Sequence, residues 1–339
     1  MSTIAGGEAH SLFIDTAGII NCCGANGNGQ LGLGDQSARK NILKLTSMPP
    51  IISVACSQHS LLLDQGGSVW ACGQNLFNQC TPEKKDFVLS PVQIPLPNPV
   101  LSISASHKLS TCVDDQGQVW QFGIKQKVPQ ILKDLPPISA YAQMNDTTGF
   151  ALDRNRQVHK IEYGVQSIIE NIPPITTILA SQNALLMLDA SKNVWVCGNG
   201  KELRLVEENK TNPVRVENLP PIKAVSIGYR YALFLDENGS VWVSGYRTND
   251  GQLGLKGVNG TFTTVKNPHL ESIAAISCGN HHSLFLDNAG DVWGCGKNDF
   301  GQLSKASWSE PNIVETPKFI IGGIRVPDAR AVKSATFTC

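Results

Sequence analysis

Two cysteines and two histidines, Cys278, His281, His282 and Cys295, fall in one short stretch and are the residue types that hold zinc. Their spacing fits no standard zinc pattern, and His282 has counterparts elsewhere in the chain at His10 and His59. Gly27-x-Gly29-x-x-Gly32 satisfies the glycine pattern of a dinucleotide-binding turn. That chemistry needs a strand before the turn and a long helix after it. Here the same loop returns as Gly251-Gln252-Leu253-Gly254 between short strand-like runs, so its glycines are read as allowing positive φ in a tight connection. The acids behave alike: Asp15, Asp64, Asp114, Asp153, Asp189, Asp236 and Asp287 each end an apolar run and precede a turn. Residues that recur in this way have a structural task. No nucleophile elbow, phosphate loop or carboxylate pair stands outside the recurring frame, so no metal, cofactor or bond-making residue is expected.

The frame is clearest in Ile276–Leu303, and the rest of the chain varies on it. Five residues after each Asp comes Ile20, Val69, Val119, Val158, Val194, Val241 or Val292. One further on stand Trp70, Trp120, Trp195, Trp242 and Trp293, with Asn21 and His159 as departures. Then follow Gly24, Gly73, Gly123, Gly198, Gly245 and Gly296, with Glu162 as the exception. Alternating apolar residues between Gly- and Asn-rich turns predict short antiparallel strands, and a long fixed period predicts stacked repeats. The tryptophans are expected to pack strands rather than stack on bases. Proline pairs at Pro49-Pro50, Pro136-Pro137, Pro173-Pro174 and Pro220-Pro221 precede the run that opens the next unit and mark strand entry.

The pattern G-x-x-H-S-L-x-L-D, then G-x-V-W-x-x-G, then G-Q-L-G, resembles the regulator of chromosome condensation repeat. The resemblance runs from Ile4 to about Thr316 and is specific in repeats 1, 2, 6 and 7. It implies an all-β chain: a closed seven-bladed β-propeller of four-stranded antiparallel blades. Radial repetition protects sheet edges, and each unit buries its faces against its neighbours. Blades 3, 4 and 5 are degenerate. Their intervals are shortened, G-Q-L-G is missing from all three, and repeat 4 has lost its Trp and both glycines. Drift of surface loops is the preferred reading of this trimmed arc, and a partner docking on a lowered rim is the other. Residues 1–326 are expected to form the propeller, with the segment Ser309–Val326 supplying a strand that closes the ring. Residues 327–339 are expected to form a short mobile tail.

Composition bounds the function. The formal net charge is zero, so no global field draws the chain to nucleic acid, which is not an expected partner. No apolar run is long enough for a membrane helix. Ten cysteines without a signal peptide point to a reducing, cytoplasmic compartment. Cys23, Cys72, Cys197 and Cys295 occupy one position in separate blades, too far apart to bridge, and are read as small buried packing residues. The terminal Cys339 is a candidate lipidation site, although a prenylation signal needs three residues after its cysteine. Lipidation would bring marginal membrane association, as in bacterial effectors resembling the family that act in the host cytosol. A monomer is expected.

Differences between blades carry the functional reading. The two residues inside G-x-x-H must project from one face near the axis, and they are chemically varied. Glu8, His107, Lys108, Asp146, Tyr229, Arg230, Asn280 and His281 are the candidate partner-binding residues. His10, His59 and His282 fill the adjacent position and are expected to hydrogen-bond the turn. The resemblance implies binding of a small GTPase of the Ran type, with guanine nucleotide exchange or activation as the activity, since acidic and His residues of these turns face the GTPase in that exchange factor. A related plant photoreceptor uses Trp and Arg there, and these turns have no Trp. The stretch between Gly123 and Tyr141 is short for the β-wedge with which the exchange factor displaces nucleotide. The other class is a non-catalytic scaffold or inhibitor that binds a different protein through the same face.

Overall fold

The computed structural model describes residues 2–124, 126–181, 184–304 and 312–327, and what it shows is seven four-stranded antiparallel sheets with no helix among the described residues. Each sheet is one uninterrupted stretch of chain with its strands in sequential order. In the seventh blade these are Ile273–Cys278, His282–Asp287, Val292–Lys297 and Ile313–Ile321. The innermost strands contact one another in succession, and the first (Ile4–Gly6) meets that of the seventh blade, so the ring is closed. The first two strands of a blade are buried on both faces, whereas the outermost strands are half-exposed. This gradient explains the continuous apolar runs such as Ala184–Asp189 and the polar outer strand Lys210–Arg215.

The recurring Asp holds the outer corner of each blade. In blade 2 one oxygen of Asp64, Oδ1, accepts the Gly66 and Ser68 amides at 2.9 Å, which closes the turn. The other, Oδ2, accepts the Trp70 indole N–H at 3.0 Å. The same clamp joins Asp114 to Trp120, Asp189 to Trp195, Asp236 to Trp242 and Asp287 to Trp293. The tryptophans therefore both pack and donate. Blade 4 keeps the clamp after losing its Trp. His159 Nε2 donates to Asp153 Oδ2 at 3.0 Å, while Gln166 donates to His159 Nδ1 and so holds the tautomer. In blade 1, where Asn21 replaces Trp, Lys44 approaches Asp15 at 3.6 Å instead. Asp64→Ala removes three bonds to one carboxylate and is expected to cost about 3 kcal/mol, read as a lower denaturant midpoint with unchanged slope.

Ring closure comes from the segment expected to supply it, but not from that segment's strand. Ile313–Ile321 is the outermost strand of blade 7 itself, paired with Val292–Lys297. Closure falls instead to Ile324 and Arg325, just past that strand. In every other junction the first residue of the next blade (Ile51, Val100, Ile138, Ile175, Ile222 and Ile273) donates its amide to a carbonyl in the preceding blade's turn. Ile324 makes this bond to Gly290 at 2.9 Å, bridges Asp15 of blade 1 and is buried. The Arg325 amide adds a bond to the Ile14 carbonyl at 2.9 Å. The C-terminal segment thus stands in for the start of blade 1's innermost strand. The tail beyond Pro327, with Cys339, lies outside the described residues.

Candidate protein-binding face

Because the strands alternate in direction, the turns between the first and second strands and the loops between the third and fourth emerge on one face. A Cβ added at Gly24, the end of the third strand, would meet the Ala9 carbonyl and the His10 Cα at 2.6 Å, which places the two connections against each other. The Asp turns and the proline connectors share the other face, where Gly18 packs on Pro50.

On the first face neighbouring turns are linked by backbone bonds. The Tyr229 amide donates to Asn280 O at 3.2 Å, the Asn280 amide to Gly7 O at 3.2 Å, and the Glu8 amide to Ser57 O at 3.0 Å. Beneath them lie the recurring histidines, and their partners correct the expectation that they bond their own turn. His10 Nε2 lies 2.9 Å from Ser60 Oγ, His59 Nε2 2.7 Å from Ser110 Oγ and His282 Nε2 3.0 Å from Ser11 Oγ, each time in the next blade. Each serine spends its proton on a loop carbonyl, of Gln30, Gln79 or Gln302. The histidine must then be the donor, as a neutral Nε2–H tautomer. Burial, with a smaller push from a neighbouring imidazole, lowers His10, His59 and His282 to about 3. Tyr231 takes this role in blade 6, where its hydroxyl lies 3.0 Å from Gly279 O and 2.5 Å from His282 O.

The same network explains the G-Q-L-G loop as a wedge between blades, with Gly29 and Gly32 at φ 81° and 70°. Blade 5, read as lacking the loop, retains its turn. The Arg204 amide donates to Lys201 O as the Gly32 amide does to Gly29 O, Leu203 is buried, and Ser244 of blade 6 donates to Leu203 O at 2.6 Å. Blades 3 and 4 do lose the wedge. In blade 4 Tyr163 and Gly164 form a tight hairpin, both at positive φ, and Tyr163 is 80% exposed.

The candidate partner-binding residues divide into two arcs. Tyr229, Arg230, Asn280 and His281 form one patch across blades 6 and 7. The Arg230 guanidinium lies 4.9 Å from the Tyr229 ring centre, and the Tyr229 and His281 rings are 5.5 Å apart. Exposed Glu8 continues this arc into blade 1. Lys108 and Asp146 pair with each other across blades 3 and 4 at 2.7 Å, and exposed His107 stands beside them. The turn residues 182 and 183 lie outside the described residues. The dismissed zinc candidates are each engaged elsewhere: His282 on Ser11, and His281 Nδ1 2.9 Å from Asp250 Oδ2, at ion-pair distance but not aligned as a hydrogen bond. Cys278 and Cys295 are buried thiols, raised by burial.

The structure adds residues that the repeat reading missed. Glu202 approaches Arg230 at 3.7 Å, and Arg204 and Arg247 both lie over the Tyr246 ring, at 4.4 and 5.2 Å. Phe262 is 91% exposed beside them. Arg204, Arg230 and Arg247 all adopt left-handed backbone, φ 57°, 61° and 54°. For residues with a side chain this costs of order 1–3 kcal/mol each and concentrates at functional sites. The signal for Arg204 was Leu203, which keeps the register of the loop leucine.

Comparison with known proteins agrees with this architecture. The family model described as "Regulator of chromosome condensation (RCC1) repeat" matches residues 273–302. Human Protein RCC2 is 35% identical over 120 residues, 34% of this chain and 23% of that protein. The mouse "Secretion-regulating guanine nucleotide exchange factor" is 31% identical over 128 residues, 36% of this chain and 28% of its own length. These alignments thus span about a quarter of the relatives' length. The crystal structure of Prp20p from Saccharomyces cerevisiae, titled for its binding to Gsp1p and histones, superposes with a TM-score of 0.79 at 19% identity. That superposition covers 95% of this chain and 91% of Prp20p. The chain is a seven-bladed β-propeller built of repeats of the regulator of chromosome condensation type.

Proposed function

We propose that the propeller is a small-GTPase-interacting regulator that engages a GTPase of the Ran type through the face carrying the G-x-x-H turns. The observation that carries this reading is the patch Tyr229–Arg230–Asn280–His281. It joins an exposed Tyr and an Arg, the types that dominate interface hot spots, on turns braced by neighbouring blades. The printed name of the mouse relative supports exchange as the activity. Exchange would need no bond chemistry. A propeller that prefers the nucleotide-free GTPase lowers its affinity for nucleotide by the same factor.

A specific observation favours the second reading, a non-catalytic scaffold or inhibitor on the same face. The stretch after Gly123 is spent on blade 3's own outermost strand, Gln126–Ile131, and on the connector to Ile138. Purified small GTPases, Ran included, emptied of nucleotide with EDTA for capture and loaded with a fluorescent nucleotide for release, separate the two. Exchange predicts capture and accelerated release of a fluorescent nucleotide, and a scaffold predicts capture at most. Replacing Tyr229 and Arg230 together with Ala is expected to weaken capture by about 2 kcal/mol or more with the melting temperature nearly unchanged. An equal loss on changing Lys84 and Lys85, on an outer loop of blade 2, would show that the wrong surface was chosen.

A further inference from the structure

The two guanidinium groups over Tyr246 have an unusual environment. Arg204 and Arg247 belong to the loops of neighbouring blades, yet both lie over that one ring, and neither has a carboxylate within ion-pair distance among the described residues. Arg204 occupies the position that is Gly32 in blade 1 and Gly254 in blade 6, where left-handed backbone suits glycine. An arginine there works against the local backbone, and what it adds is a fixed cation on an aromatic ring. From Arg204 a cleft of about 660 Å³ opens between blades 5 and 6. Lys210 and Arg215 line it from the outermost strand of blade 5, and Phe262 and Thr263 line it from the blade 6 loop.

We infer that this cleft, with Arg204 in its lining and Arg247 on the same tyrosine ring as Arg204, binds a short acidic segment of a partner protein, one with an apolar side chain beside its carboxylates. Two uncompensated guanidiniums each offer a planar fork that matches a carboxylate, and exposed Phe262 offers an apolar contact between blades. Glu207 and Glu217 also line the cleft, so it is not the unbroken cationic track that a nucleic-acid backbone requires. The inference stands apart from the GTPase reading, which rests on the turns rather than on these loops.

The test uses the full chain and fluorescence anisotropy of a labelled peptide of Glu and Asp interspersed with Leu and Phe. Its controls are the same peptide with Gln and Asn in place of the acids, and a labelled single-stranded oligonucleotide. The acidic peptide should bind, and binding should weaken as salt is raised. Arg204→Gly restores the residue that the loop geometry prefers. It should therefore raise the melting temperature while lowering peptide affinity at least about tenfold, and Arg247→Ala should lower affinity similarly. GTPase capture, measured in parallel, should persist in Arg204→Gly, which separates failure of one reading from failure of the other. Equal binding of the neutral peptide, tighter binding of the oligonucleotide, or unchanged affinity in both variants would overturn the inference. So would sedimentation showing a self-associated chain that Arg204→Gly dissociates.

Discussion

Lowering the pH from 7 to 5 is expected to remove roughly 6 kcal/mol of stability from this propeller, about 2 kcal/mol for each of His10, His59 and His282. These imidazoles are fully buried, and burial lowers each to about 3, whereas in the unfolded chain they titrate near the ordinary value of 6.5. As pH falls below about 6.5 the unfolded state takes up protons that the folded state refuses, so stability declines continuously until pH approaches about 3. A proton on Nδ1 would also place a charge where these histidines have no hydrogen-bond partner. Denaturant midpoints at pH 7, 6 and 5 measure the effect. His59→Gln keeps an amide donor for Ser110 and does not titrate, so its pH slope should be shallower by about one proton. A stability flat between pH 7 and 5 would mean that the three rings are not held neutral between blades.

The second large effect lies at the seam of the ring. Ile324→Asp is expected to destabilise the chain by about 4 kcal/mol or more, because it replaces a buried aliphatic contact with a carboxylate at the junction of blades 7 and 1. Val326→Asp, two residues on and exposed, should have little effect and serves as the control. The loss should appear as faster unfolding and a broadened transition, since an opened ring frees its two end blades. If the two variants melt alike, closure rests elsewhere. This prediction follows from the bond that Ile324 shares with Ile51, Val100 and Ile273 at the other junctions, and it does not depend on residues beyond Pro327.

Much of the architecture was legible from local chemistry. Asp, Val, Trp and Gly recur in one frame because most blades solve the same problems: a turn that needs a carboxylate for its amides, an indole that needs that carboxylate's other oxygen, and a third strand ending in left-handed glycine. A period set by such bonds can be read without coordinates, and it predicted seven blades and the face on which the variable turns lie. What the period could not show is what lies between blades. His10, His59 and His282 reach serines about fifty residues away or at the opposite end of the chain, so their own turns say nothing of those partners. His159 replaces a Trp as donor although the two look unrelated as letters, because the clamp asks for an N–H at one place rather than for a side-chain type. Blade 5's loop survives without its glycines since a backbone turn and one buried leucine suffice, and this conceals Arg204. The gathering of Arg204, Tyr246, Arg247 and Phe262 was decided by the tertiary structure. Three of them share one loop and the fourth comes from the preceding blade, and only the packing of blade 5 against blade 6 puts two guanidiniums on one ring.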